Sequence, residues 1–302
     1  MKIKNLVMIL TLGAATISCA DKQESKTNYA DLTKQYAKVQ LTSDISHLSD
    51  NEKQMLNYLY EVGNIMDDIF WTQQFGGDKE TFLNSIKDKD ARLFAEINYG
   101  PWNHFDGLAS FLPEYGEMPA GAGFYPADMT KEEFEAWDDP NKTRLYTLIK
   151  RDENGKLQSV WYHEAYAEQI QKAADLLLKA ADLAGDKEFA DYLRLRSKAL
   201  LTDEYFESDM AWMDVRNNNV DFVVGPIENY VDALYGYKAA HEAFILIKDH
   251  AWSKQLAHYA ELLPELQTQL PVAPEYKAEK PGADADLAVY DAVLYSGDCN
   301  MA

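Results

Sequence analysis

The stretch SDMAWMDVRNNNVDFVVGPIENYVDALYGY, Ser208 to Tyr237, carries the most information in the chain. An aromatic helix end at Trp212 and Met213 runs through Arg216-Asn-Asn-Asn219 into an apolar strand, Val220 to Val224. A Gly225-Pro226 break follows, and then Glu228 and Tyr230 come two residues apart. In extended backbone, residues i and i+2 point to the same side. A carboxylate and a phenol that face one spot suit a primary ammonium, such as the free amine of a peptide. At about 4 Å and an effective dielectric near 20, the Coulomb attraction is about 4 kcal/mol before desolvation.

No metal-binding pair accompanies that grip. His163-Glu164 and His241-Glu242 each begin a zinc-helix pattern, which needs a second histidine one turn on. Positions 167 and 168 hold Ala and Glu, and positions 245 and 246 hold Ile and Leu. His250 and His258 are two turns apart, too far for a simple chelate. All six histidines therefore read as structural or surface groups. Asp67-Asp68, Glu132-Glu133 and Asp138-Asp139 raise a glycosidase reading, but adjacent acids on a helix point apart. Neither a Gly-x-Ser-x-Gly elbow nor a phosphate loop occurs. The sequence thus assigns no catalytic residue, no metal ligand and no cofactor to this chain.

The chain has 302 residues, 47% of them hydrophobic, enough to bury a large core in one or two domains. Its net charge of -21 repels phosphate backbones and anionic headgroups, so nucleic acid is excluded as a partner. The N-terminus reads as a signal peptide over residues 1–19. Lys2 and Lys4 precede an apolar core from Leu6 to Ser18, shorter than the roughly 20 residues of a spanning helix. Thr16-Ile-Ser-Cys19 resembles a relaxed bacterial lipobox, which implies acylation at Cys19. More than one acyl chain makes a stable anchor. The expectation is an exported lipoprotein of a bacterial cell envelope, touching the membrane through lipid alone. Cys299 would then be the remaining cysteine, and it reads as a small packed residue beside Gly297.

Residues 20–48 are polar and read as a tether. The body begins at Ser49-Asp50, an N-cap pair. Met55, Leu56, Leu59, Val62, Ile65, Met66, Ile69 and Phe70 then recur at helical spacing, predicting a long helix that ends near Gly76. Further helices are predicted from Asp78 or Lys79, over about Asp90–Asn98, and over Thr130–Trp137 with a capping box closed by Glu133. Residues 100–128, rich in Pro, Gly and aromatics, read as an ordered irregular layer walling a cleft. Leu145–Lys150 and Leu157–Trp161 flank Asn154-Gly155, a hairpin signal. Helices are predicted over His163–Ala184, Lys187–Leu201, Glu204–Val215 and Trp252–Gln269. Val220–Val224, Ala243–Ile247 and Leu287–Tyr295 are strand candidates.

Ser208-Asp-Met-Ala-Trp-Met213 and Gly225-Pro-Ile-Glu-Asn-Tyr230 resemble the dipeptidyl peptidase III family of zinc metallopeptidases, in its bacterial branch. Gly100-Pro-Trp-Asn-His-Phe-Asp106, Gly123 to Phe134, and Tyr295-Ser-Gly-Asp-Cys-Asn300 agree in order. The likeness covers roughly residues 50–302. It implies that Glu228 and Tyr230 help bind the N-terminal amine of an oligopeptide substrate. It also implies zinc in full-length relatives, held by a His-Glu-x-x-x-His helix and a later Glu-rich helix. Both lie C-terminal to the matched region, as does an asparagine pair just beyond Asn300 that also holds substrate.

The fold expected is α+β, predominantly α-helical, with one β-hairpin and a few short buried strands. Residues 49–302 are read as the N-terminal, peptide-amine-binding part of such an enzyme, incomplete at the C-terminus and without peptidase activity by itself. Either the sequence is truncated or it is a shortened paralogue; the strand-like tail favours truncation. The rival from another class is a non-catalytic helical surface lipoprotein that captures peptide or glycan. An aromatic-lined pocket complete within residues 50–302 would favour the rival. A bare apolar surface near residues 287–302 would favour the enzyme part.

Overall fold

A computed structural model describes residues 27–277 and 288–300. The signal segment and Cys19 lie outside the described residues. A short helix, α1 (Tyr29–Thr33), opens the described chain. The Tyr29 hydroxyl donates to the Phe111 carbonyl at 3.1 Å, and Tyr36 donates to Asn98 Oδ1 at 3.0 Å. Leu48 is fully packed. Tyr29, Leu32, Tyr36 and Leu48, all within the expected tether, therefore lie against the body, whereas Val39, Leu41 and Ile45 between them are exposed.

The organising element is α2 (Asp50–Phe75). Ser49 accepts from the Glu52 N–H while Glu52 accepts from the Ser49 N–H, a reciprocal cap. Gly76, at φ 78°, ends the helix in the left-handed conformation. Its apolar positions are as the periodicity indicates: Met55, Leu59, Val62, Met66, Ile69 and Phe70 are all sealed from solvent. Helices α3 (Lys79–Ser85) and α4 (Lys89–Ile97) follow, each started by an aspartate cap, Asp78 and Asp88.

Residues 100–128 form an ordered layer of turns. A two-residue pair, β1 (Trp102–Asn103) with β2 (Ala109–Ser110), is held by Phe111, Phe124 and Tyr125 packed inward. Helix α5 (Lys131–Ala136) comes next. Thr130 caps it, but Glu133 does not return the bond as a capping box requires. Arg151 engages both Glu133 carboxylate oxygens instead, at 2.8 and 2.9 Å. The hairpin, β3 (Thr147–Arg151) with β4 (Leu157–Trp161), is antiparallel and turns through Asn154-Gly155. Asp152 Oδ1 accepts from the Asn154 and Lys156 amides across that turn.

Helices α6 (Tyr162–Ala165) and α7 (Ala167–Ala181) replace the single helix anticipated from His163 to Ala184. Helices α8 (Lys187–Thr202) and α9 (Phe206–Met213) complete the helical layer. Helix α2 packs on α7, and α8 on both α7 and α9.

The main sheet is antiparallel, in the order β5 (Val220–Glu228), β6 (Ala240–Asp249), β7 (Val289–Gly297). The first two strands run well past the short apolar cores read from sequence. Pairing continues through Gly225-Pro226, with a bulge between Pro226 and Glu228. Phe222, Val224, Ala243, Ile245 and Ile247 form its buried face. Helix α2 packs against all three strands.

The last helical stretch is two helices, α10 (His250–Ala260) and α11 (Leu263–Gln269). Pro264 stands in the first turn of α11; lacking an N–H, it starts a helix and cannot continue one. Of the region near residues 287–302 where a bare apolar surface is anticipated, the described residues include Tyr295, which is exposed. Val293 and Leu294 pack on the core, whereas Trp252, Tyr259, Leu266 and Tyr276 are widely exposed.

Candidate functional site

Strand β5 delivers Glu228 to an open position at its end. Tyr230 follows two residues later and is also exposed. The loop that carries Tyr230 is fixed by Asp232, which is buried. Asp232 Oδ1 accepts from the amides of Leu234 and Tyr235, and Oδ2 from those of Tyr237 and Lys238. The Tyr125 hydroxyl, from the irregular layer, adds a bond of 2.7 Å. These bonds fix the backbone from Leu234 to Lys238, the stretch that follows Tyr230.

Lys238 does not serve as the countercharge of Glu228, because its ammonium is buried and engaged elsewhere. It donates to the Lys142 and Arg144 carbonyls at 2.8 and 3.0 Å and to Thr147 Oγ1 at 2.8 Å. Burial pushes Lys238 down to about 7.

Two acids that the sequence does not connect with Glu228 and Tyr230 meet the pair from behind. Glu242 on β6 is the register partner of Gly297 on β7, and Asp298 is the next residue. Both carboxyls are buried, Asp298 completely. The Tyr230 hydroxyl is turned toward Asp298, without closing a well-formed hydrogen bond, and among the described residues both Asp298 oxygens are left unpartnered. Burial raises Asp298 to about 6, and Glu228 adds to the rise. Burial raises Glu242 to about 7, and the charges of Asp298 and Glu228 add to it. Burial and the same three acids push the Tyr230 phenol up, so it stays protonated.

A cavity of ≈ 350 Å³ opens beside Tyr230. The irregular layer supplies Leu108, Met118 and Pro119, and α2 supplies Gln74. The layer thus walls a cleft, as its composition indicates. Gln74 is buried with Oε1 unpartnered, and its Nε2 is 3.4 Å from His104 Nε2. The site is an acidic end with an apolar flank, an arrangement able to hold an ammonium and an adjoining neutral side chain.

The donors needed for zinc do not come together. His163 Nδ1 lies 2.7 Å from Asp203, His241 is sealed beside Gln73, and His250 contacts Asn219. Among the described residues, no group of three or more His, Cys, Asp or Glu side chains is placed to hold a metal ion. These residues do not fit a zinc centre, and no chemical step is derived through one. Cys299 is half-buried, with Sγ 3.1 Å from the Ser296 carbonyl, and burial pushes its thiol up to about 12. It is a packed residue and not a nucleophile.

No family model matches the chain. It is similar to the structure of DPP III from Caldithrix abyssi, with 35% identity and a TM-score of 0.82 over 90% of this chain and 54% of that one. It is similar also to dipeptidyl-peptidase III from Corallococcus sp. strain EGB, with 31% identity and a TM-score of 0.78 over 90% of this chain and 53% of that one. Nudix hydrolase 3 of Arabidopsis thaliana is 30% identical over 87% of this chain and 42% of its own length. The chain therefore spans about half the length of the proteins it matches. By fold and sequence together, the chain is a relative of the dipeptidyl peptidase III family over that half.

Proposed function

We propose that this chain forms the part of a dipeptidyl-peptidase-like hydrolase that grips an oligopeptide by its N-terminal amine. The observation that supports the reading most is the pairing of an open carboxylate, Glu228, with Tyr230 at the mouth of an apolar cavity. Glu228 supplies the countercharge and Tyr230 a hydrogen-bonding oxygen. The cavity takes a neutral side chain next to the amine. The described residues hold the peptide and cut nothing; no bond-breaking step is assigned to them.

Calorimetric titration with a short peptide and its N-acetylated twin tests this. The free-amine form binds, acetylation abolishes binding, and Glu228→Gln weakens the free form at least tenfold. Equal binding of the two peptides would instead favour a surface protein that captures peptide without regard to its end. In the same reading the chain is exported and anchored through acylated Cys19. Lipid labelling of the expressed protein, lost in Cys19→Ala, checks that part.

A further inference from the structure

We propose that Asp298, with Glu242 beside it, is the buried second layer of the amine site, and that it acts by orienting the Tyr230 hydroxyl. The inference rests on the reading of Glu228 and Tyr230 as the amine grip, and it adds a residue and a working direction to that grip.

Asp298 is wholly buried, and among the described residues neither of its oxygens has a hydrogen-bond partner. A carboxylate in that position is costly unless a proton, a donor or a cation compensates it. The residues around it are Tyr230 and Glu228 from the end of β5 and Glu242 from β6, with Cys299 adjoining. Three of these four add negative charge or a high-pKa thiol, and the fourth is a phenol. The Cys299 thiol is directed at the Ala243 and Ser296 carbonyls, so among the described residues around Asp298 the donor offered is the Tyr230 O–H.

That constraint has a direction. A phenol has one proton and two lone pairs. When Tyr230 gives its proton to Asp298, its lone pairs turn away from Asp298 toward the open side, where Glu228 stands. An arriving ammonium then finds two acceptors, Glu228 and the phenolic oxygen, and the second is strengthened by the carboxylate behind it. The ligand class is a primary ammonium. An N-acetyl group carries no charge to compensate the acids and brings an acceptor of its own. Glu242, close to Asp298, makes the layer more negative and so favours a cation more strongly.

The test compares the unaltered chain, Asp298→Asn, Tyr230→Phe and the double variant. Each is titrated with a free-amine peptide and with its N-acetylated twin, and each is melted at pH 7.5. Asp298→Asn is expected to weaken the free-amine peptide at least tenfold, to leave the acetylated one unaffected, and to raise the melting temperature. In the Tyr230→Phe background the same change is expected to cost nothing further, because Asp298 acts through the hydroxyl. An unchanged affinity in Asp298→Asn overturns the inference, as does an undiminished loss in the Tyr230→Phe background or a lowered melting temperature. If the unaltered chain distinguishes the two peptides while Asp298→Asn binds as well, only this inference falls. If the unaltered chain does not distinguish them, the amine grip falls with it.

Discussion

Glu242 and Gly297 stand opposite each other in the antiparallel pair β6–β7, and that register delivers Asp298 behind Tyr230. Gly297 holds φ at 72°, and a Cβ there would lie 2.3 Å from the His241 carbonyl oxygen. Gly297→Ala therefore meets both left-handed strain and backbone. It should cost about 2 kcal/mol or more, measured by urea unfolding, and should displace Asp298 enough to weaken peptide binding. Stability within about 0.5 kcal/mol of the unaltered chain would show that the strand end has slack.

The buried acids give stability a pH dependence whose sign follows from linkage. Asp298 and Glu242 are raised in the fold, to about 6 and about 7, from ordinary values of 3.8 and 4.5. Between those limits the folded chain binds more protons than the unfolded one. Their contribution is thus fully present below about pH 4 and is lost as pH rises through about 7. Melting temperatures measured from pH 4.5 to 7.5 should fall more steeply in the unaltered chain than in Glu242→Gln. Parallel curves would remove the acids from the account.

Lys238 anchors the loop after Tyr230 to the start of the hairpin through three acceptors. Lys238→Met leaves those acceptors buried without a donor and should cost about 2–4 kcal/mol in chemical denaturation. It also removes a base whose pKa is lowered in the fold. Between about pH 7 and the ordinary lysine value of 10.5, the unfolded state binds the extra proton, so stability rises with pH there. That slope should shrink in the variant.

Cys299 gives a kinetic check. With its thiol pushed up to about 12, the thiolate fraction at neutral pH is negligible. Iodoacetamide should label Cys299, read by peptide mass mapping, slowly in the native chain and rapidly once it is unfolded. Fast native labelling would contradict the packed role.

Much of this architecture was legible before any coordinates. The apolar spacing from Met55 to Phe70, the Ser49 cap and the Asn154-Gly155 turn each have a local cause, and each stands where the sequence places it. The strand ends were not legible, because pairing through Gly225-Pro226 depends on β6, not on local preference. The break between α10 and α11 did have a local signal, Pro264. Glu228 and Tyr230 were visible as a spaced pair. Asp298 and Glu242 were not visible as members of the site, since it is the pairing of β6 with β7 that brings these two distant positions together. A faint signal existed: His241-Glu242 is a polar pair inside an otherwise apolar run from Ala239 to Ile247, and polar groups in a buried strand ask for a reason.

The most direct measurement is a crystal structure of the chain with a free-amine peptide bound. The account predicts the terminal nitrogen within about 3 Å of the Glu228 carboxylate and of the Tyr230 oxygen, with the Tyr230 hydroxyl on Asp298. A peptide whose amine lies elsewhere, or that seats with its end in solvent, would contradict it.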